Sequence, residues 1–374
     1  MTQIIPGSCV ALLGALTTLA GSSSPWWPTT IFSPDSTPAR AIFGLSIFVL
    51  TITGLIFVAI TTLLVYALVH FRARSGDDSE PPQVFGSTQI ELAWTIIPLL
   101  IIVVLFLGTA RVIFSVQDAK KPAAALNVVV VGHQFWWEFR YPDYNVVTAN
   151  ELHVPVSDAR SSRPTFMKLT SADVVHSFWV PRLAGKTDLL PNRVNEMWID
   201  PQRTGMFDGQ CAQFCGAEHA KMLLRVYVDT PEQFQAWIAT QQKEAAGASS
   251  SAAPSSPDLT GNTPGSFRAL QVSQTVKAGQ ARSAAETGRD VFEHQACINC
   301  HTVRGTVADG RFGPDLTHLM GRHTIAAGAA DNTPENLMRW IADPATFKPG
   351  ALMPPMHLTD EQNTQITNYL TTLN

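Results

Sequence analysis

Within twelve residues, the run Cys211-Ala-Gln-Phe-Cys215-Gly-Ala-Glu-His219-Ala-Lys-Met222 offers two thiols, an imidazole and a thioether. Soft sulfur combined with imidazole is the donor set that favours copper. His176, in Asp173-Val-Val-His-Ser-Phe-Trp-Val-Pro181, adds a second imidazole from earlier in the chain. A single blue-copper ion uses one Cys, two His and a weak axial ligand, so one thiol here is surplus for one metal. Two thiolates can instead bridge two coppers. Zinc, held by two Cys and two His, and a Cys211–Cys215 disulfide are the competing readings. Met222 speaks against zinc, because a thioether is a poor zinc ligand and a natural copper one.

A second constellation lies near the C-terminus. Ala296-Cys297-Ile-Asn-Cys300-His301 is a C-x-x-C-H, the attachment signature of c-type haem, in which the two thiols bond the porphyrin and the imidazole lies under the iron. A thioredoxin-like redox pair is the alternative, but no βαβ pattern surrounds it and the trailing His has no use there. A haem of this kind needs a second axial ligand, and Met raises its potential to that of an electron carrier. Met353 is the first choice and Met356 the reserve; His318, His323 and His357 are read as surface or packing residues.

The remaining sequence must place these groups. The chain has 374 residues, 45% hydrophobic and only 15% charged, so a membrane component is expected. A net charge of -4 with no Lys/Arg block excludes a nucleic-acid surface. Residues 41–70 and 91–112 read as two membrane helices within a hairpin spanning 41–114, since each uncharged run reaches the ~20 residues that a span needs. Arg and Lys flank both sides of the hairpin, so charge does not orient it. Residues 1–24 read as a secretory signal, with a short apolar stretch ending near Thr18-Leu-Ala20, although no basic residue precedes that stretch; Cys9 is given no role.

From 122 to 241, short β-branched and aromatic runs such as Leu126–Val131, Thr165–Thr170, Arg193–Ile199 and Met222–Val228 predict a small β-sandwich or barrel. Residues 243–281 read as a flexible linker: between Glu244 and Gly265, 18 of 22 residues are Ala, Gly, Ser, Pro or Thr, which cannot bury a core. Residues 282–374 show helical spacing, with helices over Glu286–His294 and Asp360–Leu373, and form an all-α domain.

On these residues, 41–228 resembles cytochrome c oxidase subunit II of the haem-copper oxidases. The segment from 282 resembles a class I cytochrome c, with Lys348-Pro-Gly-Ala-Leu-Met353 as its distal loop and Phe312-Gly-Pro-Asp-Leu316 as its proline loop. The combination is that of a caa-type oxidase. The resemblance implies a cupredoxin domain with a dinuclear CuA centre of two copper ions. Its ligands would be His176, Cys211, Cys215, His219, Met222 and the backbone oxygen of Gln213. Relatives usually carry Glu where Gln213 stands; a backbone ligand survives that change, and no magnesium site is assigned.

Gly132-His-Gln-Phe-Trp-Trp-Glu138 resembles the family's aromatic segment, usually Gln-Trp-x-Trp, with Phe135 in place of the first Trp. Trp136 and Trp137 become candidates for an electron path, against the plainer reading that they are packing. Glu91, in Ser87-Thr-Gln-Ile-Glu91-Leu-Ala-Trp94, matches a Glu linked to a proton path in subunit I. A helix-start carboxylate favoured by the helix dipole is the equal alternative.

The resemblance implies the subunit at which electrons enter a terminal respiratory oxidase. A cytochrome c or cytochrome bc complex would be the donor, with haem c and CuA as carriers. Subunits I and III would be partners, and subunit I would reduce oxygen to water and translocate protons. The soluble domains would face the periplasm of a bacterial plasma membrane. Neither constellation holds a general base, a nucleophile or an open substrate position, so no catalytic residue is assigned to this chain and the enzyme is the complex. The alternative from another class is a membrane-anchored copper-binding or copper-delivery protein, in which a haem domain has no purpose. A quinol oxidase subunit lacks copper ligands that are all present here.

Overall fold

The computed structural model describes residues 30–72, 76, 80, 83, 85–157, 163–245 and 283–374. The expected signal segment with Cys9, and the linker from 246 onward, lie outside them.

Two helices, α1 (Thr37–His70) and α2 (Thr88–Gln117), form the hairpin and extend beyond the expected spans at both starts. Their side chains are apolar on every side and are not covered by the rest of the chain. A helix without a polar face is at home in hydrocarbon, where all its backbone groups are satisfied within the helix. Both free ends of the hairpin are tied to the β-domain. The Thr37 hydroxyl donates to Asp200 Oδ2 at 2.5 Å, and Trp198 Nε1 donates to the Val116 carbonyl at 2.6 Å. The β-domain therefore sits at the end of the hairpin opposite the connecting loop.

Ten strands follow: β1 (Leu126–His133), β2 (Trp136–Tyr141), β3 (Val146–Ala149), β4 (Glu151–Pro155), β5 (Thr165–Ser171), β6 (His176–Trp179), β7 (Thr187–Leu189), β8 (Asn195–Ile199), β9 (Gly205–Cys211) and β10 (Leu223–Asp229). They make two five-stranded sheets, β3-β2-β1-β5-β8 and β4-β10-β9-β6-β7. Alternation along the strands makes the sandwich: in β10 the side chains of Leu224, Val226 and Val228 are buried and their neighbours only half so. Trp137, Phe139, Leu169 and Phe178 fill the space between the sheets. Burying each such side chain contributes about 1.5–3 kcal/mol. A helix that the strand pattern did not predict, α3 (Pro231–Gln241), is opened by a Thr230/Gln233 capping box and seats Phe234 and Ile238 against this core.

The C-terminal domain is helical: α4 (Ala284–His294), the single turn α5 (Cys297–Cys300), α6 (Pro334–Ala342) and α7 (Asp360–Leu370). Ser283/Glu286 and Thr359/Gln362 capping boxes start α4 and α7. Phe292 of α4 meets Tyr369 of α7 with ring centroids 5.6 Å apart. The residues expected to begin the linker are packed instead: Ala245 is buried in the helical core, and its amide donates to the Arg304 carbonyl at 3.3 Å.

Candidate functional site

The copper donors converge from two adjacent strands. His176 opens β6, Cys211 closes β9, and β6 pairs with β9 so that the two residues come together. The loop 212–222 is pinched at its neck by hydrogen bonds from the Cys211 amide to the Met222 carbonyl at 3.0 Å and from the Ala212 amide to the Ser177 carbonyl at 2.9 Å. A short turn over His219–Lys221 brings His219 and Met222 back toward the thiols.

Cys211 Sγ lies 3.9 Å from Cys215 Sγ, 4.0 Å from His176 Nδ1 and 3.2 Å from the Gln213 carbonyl oxygen. Cys215 Sγ lies 3.7 Å from His219 Nδ1 and 3.8 Å from Met222 Sδ. The two sulfurs are too far apart for a disulfide, whose bond is about 2.05 Å. Donors at ~2.0–2.3 Å from one tetrahedral ion lie roughly 3.3–3.8 Å from each other, so these separations suit metal binding. The six donors also divide in two: His176 and Gln213 O stand beside Cys211, while His219 and Met222 stand beside Cys215. That division suits two ions sharing the thiols better than one zinc closed by four ligands.

Asp173, quoted in the sequence but given no role there, orients the site. Its Oδ1 is 2.8 Å from His176 Nε2, so Nε2 donates to the carboxylate and Nδ1 is turned toward Cys211. Burial works against ionising Asp173, but bonds from His176 and from the Gln134 and Val174 amides outweigh it and hold the carboxyl below its usual range. Burial works against charging His176, and Asp173 and Cys211 overcome it, so its pKa is raised. Burial likewise opposes the Cys211 thiolate, yet the hydrogen bond with His176 brings the thiol down to about 6. Burial and the Cys211 charge push Cys215 up to about 12.

The two tryptophans stand differently toward this loop. Trp137 is fully buried, donates from Nε1 to the Met222 carbonyl at 3.4 Å and sets its ring edge-on to His176 with centroids 6.1 Å apart. Trp136 stacks on His133 at 4.2 Å, and His133 in turn is held by Glu138 at 3.0 Å. Glu91 lies in the exposed first turn of α2, as both readings of it require.

In the helical domain, Cys297 and Cys300 occupy one turn of helix and His301 follows as its C-cap. His301 Nδ1 donates to the Pro314 carbonyl at 2.9 Å, leaving Nε2 as the free base for an axial bond. Burial lowers the His301 pKa and keeps the ring neutral. Gly313 leaves room for the imidazole, since a Cβ there would lie 2.5 Å from His301 Cε1. These donors fit a covalently held haem.

Met353 and Met356 are half-buried in the irregular stretch before α7. His318 and His323 are occupied elsewhere. Both His318 nitrogens face carbonyls, of Asn374 at 2.7 Å and Lys243 at 3.1 Å, and the His323 ring stacks on Tyr227 at 5.0 Å. Both residues lie at the boundary with the β-domain.

Three family models match the chain: cytochrome c oxidase subunit II transmembrane domain over 25–111, its periplasmic domain over 160–228, and cytochrome c over 285–374. Cytochrome c oxidase subunit 2 of Alkalihalophilus pseudofirmus is 31% identical over 92% of this chain and 90% of its own length. The same subunit of Bacillus sp. (strain PS3) is 32% identical over 81% of this chain and 80% of its own. A crystal structure of the periplasmic domain of subunit II of cytochrome oxidase from Bradyrhizobium japonicum, 32% identical, covers 32% of this chain and 96% of its own, with a TM-score of 0.30. The chain belongs to the cytochrome c oxidase subunit II family, in a form that carries a C-terminal cytochrome c domain. It is the subunit at which electrons enter a haem-copper terminal oxidase, works beside subunit I, and is anchored in a bacterial membrane by two helices. The family implies CuA copper, and the cytochrome domain implies haem.

Proposed function

We propose that this chain carries two copper ions and one thioether-linked haem c, which when bound supply the one-electron carriers between a cytochrome c or cytochrome bc donor and subunit I. His176, Cys211, the Gln213 carbonyl, Cys215, His219 and Met222 hold the coppers. Cys297 and Cys300 would attach the haem, and His301 and Met353 would hold its iron. Residues 122–241 are the copper domain and 282–374 the haem domain, joined through the segment 243–281.

Within this arrangement the protein's own residues act by placement. Asp173 fixes the His176 tautomer, and the Pro314 carbonyl fixes that of His301. The sandwich holds thiolates in a dry setting, where a one-electron change demands little rearrangement of water. Trp137 joins the Met222 end of the loop to the core and is the better placed of the two electron-path candidates. Glu91 serves subunit I at a membrane boundary, where oxygen is reduced and protons are translocated. Both soluble domains lie on the periplasmic side of the plasma membrane, and subunit III completes the complex.

The observation that carries this reading is the pair of thiols 3.9 Å apart with separate imidazoles beside each. Metal and haem analysis of the purified oxidase tests it: two coppers in excess of those in subunit I, and one haem that stays on this polypeptide in a denaturing gel. Copper below one per chain, or a haem that washes off, overturns it.

A further inference from the structure

Glu151, the first residue of β4, belongs to neither donor set, yet it is 2% exposed. All the hydrogen-bond donors described for its carboxylate come from the other domain: the His323 amide at 2.9 and 3.1 Å, the Thr324 amide at 2.9 Å and the Thr324 hydroxyl at 3.0 Å. A carboxylate removed from water is tolerated only where donors replace the water, so the burial of Glu151 is a property of the two domains together. The stack of His323 on Tyr227 lies beside this contact.

A second grip lies at the distal loop. Lys348 is 4% exposed and donates from Nζ to the Phe135 carbonyl at 2.8 Å. The Gly350 amide donates to Glu218 Oε1 at 2.9 Å, and Lys221 Nζ donates to the Phe347 carbonyl at 2.7 Å. The backbones meet so closely that a Cβ on Gly350 would lie 2.8 Å from the Ala217 Cβ. Lys348 lies within the field of the Glu218 carboxylate, and each of the two has its hydrogen-bond partner on the other domain.

We propose that Glu151 and Lys348 are positioning residues that clasp the cytochrome domain onto the copper domain, so that the loop leading to Met353 is held against the Cys215–His219 loop. A covalent connection alone supplies only an effective concentration in the ~mM range and no orientation. The clasp supplies the orientation, with one grip on the β4 edge and one beside the metal loop. The inference rests on the proposed haem-to-copper route only for what the clasp is for; the clasp itself is a statement about contact.

The test uses the purified oxidase complex with wild type, Glu151→Ala, Thr324→Val and Lys348→Met. Hydrogen exchange at peptides covering 322–326 and 347–351 reads the contact without reference to electron flow. Glu151→Ala should speed exchange at His323 and Thr324 by about tenfold or more, the factor carried by a hydrogen bond to a charged group. Peptides inside α4 and α7, and the copper and haem absorbance, should stay unchanged. Thr324→Val approaches the same contact from the other domain and should give a smaller change in the same direction. It also keeps the test alive if Glu151→Ala fails to fold. Unchanged exchange in folded Glu151→Ala and Lys348→Met overturns the clasp. In the same samples, haem-to-copper electron equilibration after photoreduction should slow by about tenfold. Faster exchange with no change in that rate leaves the clasp standing and contradicts the electron route.

Discussion

Two thiols and an imidazole mark both metal regions, but the chain assembles them in different ways. Cys297, Cys300 and His301 fall within one helical turn and its cap, so local structure alone sets them out. His176 reaches Cys211 across 35 residues, and only the pairing of β6 with β9 makes them neighbours. The haem region needs a short helix and a proline loop to aim one ring. The copper region needs a sandwich whose strands fix two imidazoles and two sulfurs at once. The difference shows what each site depends on: the first on one local turn, the second on its frame.

Exchanging the two losses gives the sharpest contrast. Cys215→Ser removes a sulfur shared by both halves of the donor set, so copper in this subunit should fall from two per chain to below one while the covalent haem remains. Cys297→Ser with Cys300→Ser should do the reverse. Metal analysis and haem staining of a denaturing gel read both, and coupled loss in either variant would mean that the regions are not independent.

Asp173→Asn tests the frame without touching a donor. The Asn cannot hold the His176 tautomer as a carboxylate does, and copper affinity should drop about 10–100-fold, measured by chelator competition. The proposed haem attachment needs no such support, because thioether bonds would persist whatever the tautomer of His301.

Acid should also separate the two regions. Copper needs thiolates and a neutral imidazole, whereas Cys215 holds its proton up to about 12 and His176 has a raised pKa. Each lower pH unit leaves more protons to displace, so copper affinity should fall by roughly tenfold per unit for each proton released. Haem retention should be flat over the same range.

The smallest effects distinguish the tryptophans. Trp137→Phe loses the bond to the Met222 carbonyl and leaves space in the core, costing about 1–3 kcal/mol of β-domain stability. Trp136→Phe, on the outer side, should cost less than about 1 kcal/mol. Calorimetry checks both, and equal costs would remove the distinction between them.

What the sequence made legible follows the same division. The C-x-x-C-H, the two apolar spans and the helical stretches Glu286–His294 and Asp360–Leu373 are contiguous patterns, and each has a local physical cause. The candidate copper donors were legible because Cys211, Cys215, His219 and Met222 lie in one twelve-residue run and His176 offers an imidazole in an earlier segment, while the Gln213 backbone oxygen came from the resemblance alone. Contacts that join distant segments were not legible. Asp173 reads as an ordinary loop carboxylate until its oxygen is seen 2.8 Å from His176. The contacts of Glu151, Lys348 and Gly350 leave no local signal, because their partners lie 132 to 213 residues away, and Lys348 and Gly350 were legible only as part of the distal loop. Ala245 fell within a stretch whose composition announces a tether, and nothing local reveals that it is buried.

The claim on which the account depends is that Cys211 and Cys215 bridge two coppers that share one electron. Electron paramagnetic resonance of the oxidised oxidase tests this most directly. An electron shared equally by two copper nuclei should split the signal into seven lines; a four-line pattern from a single copper, or no signal from this subunit, would contradict it.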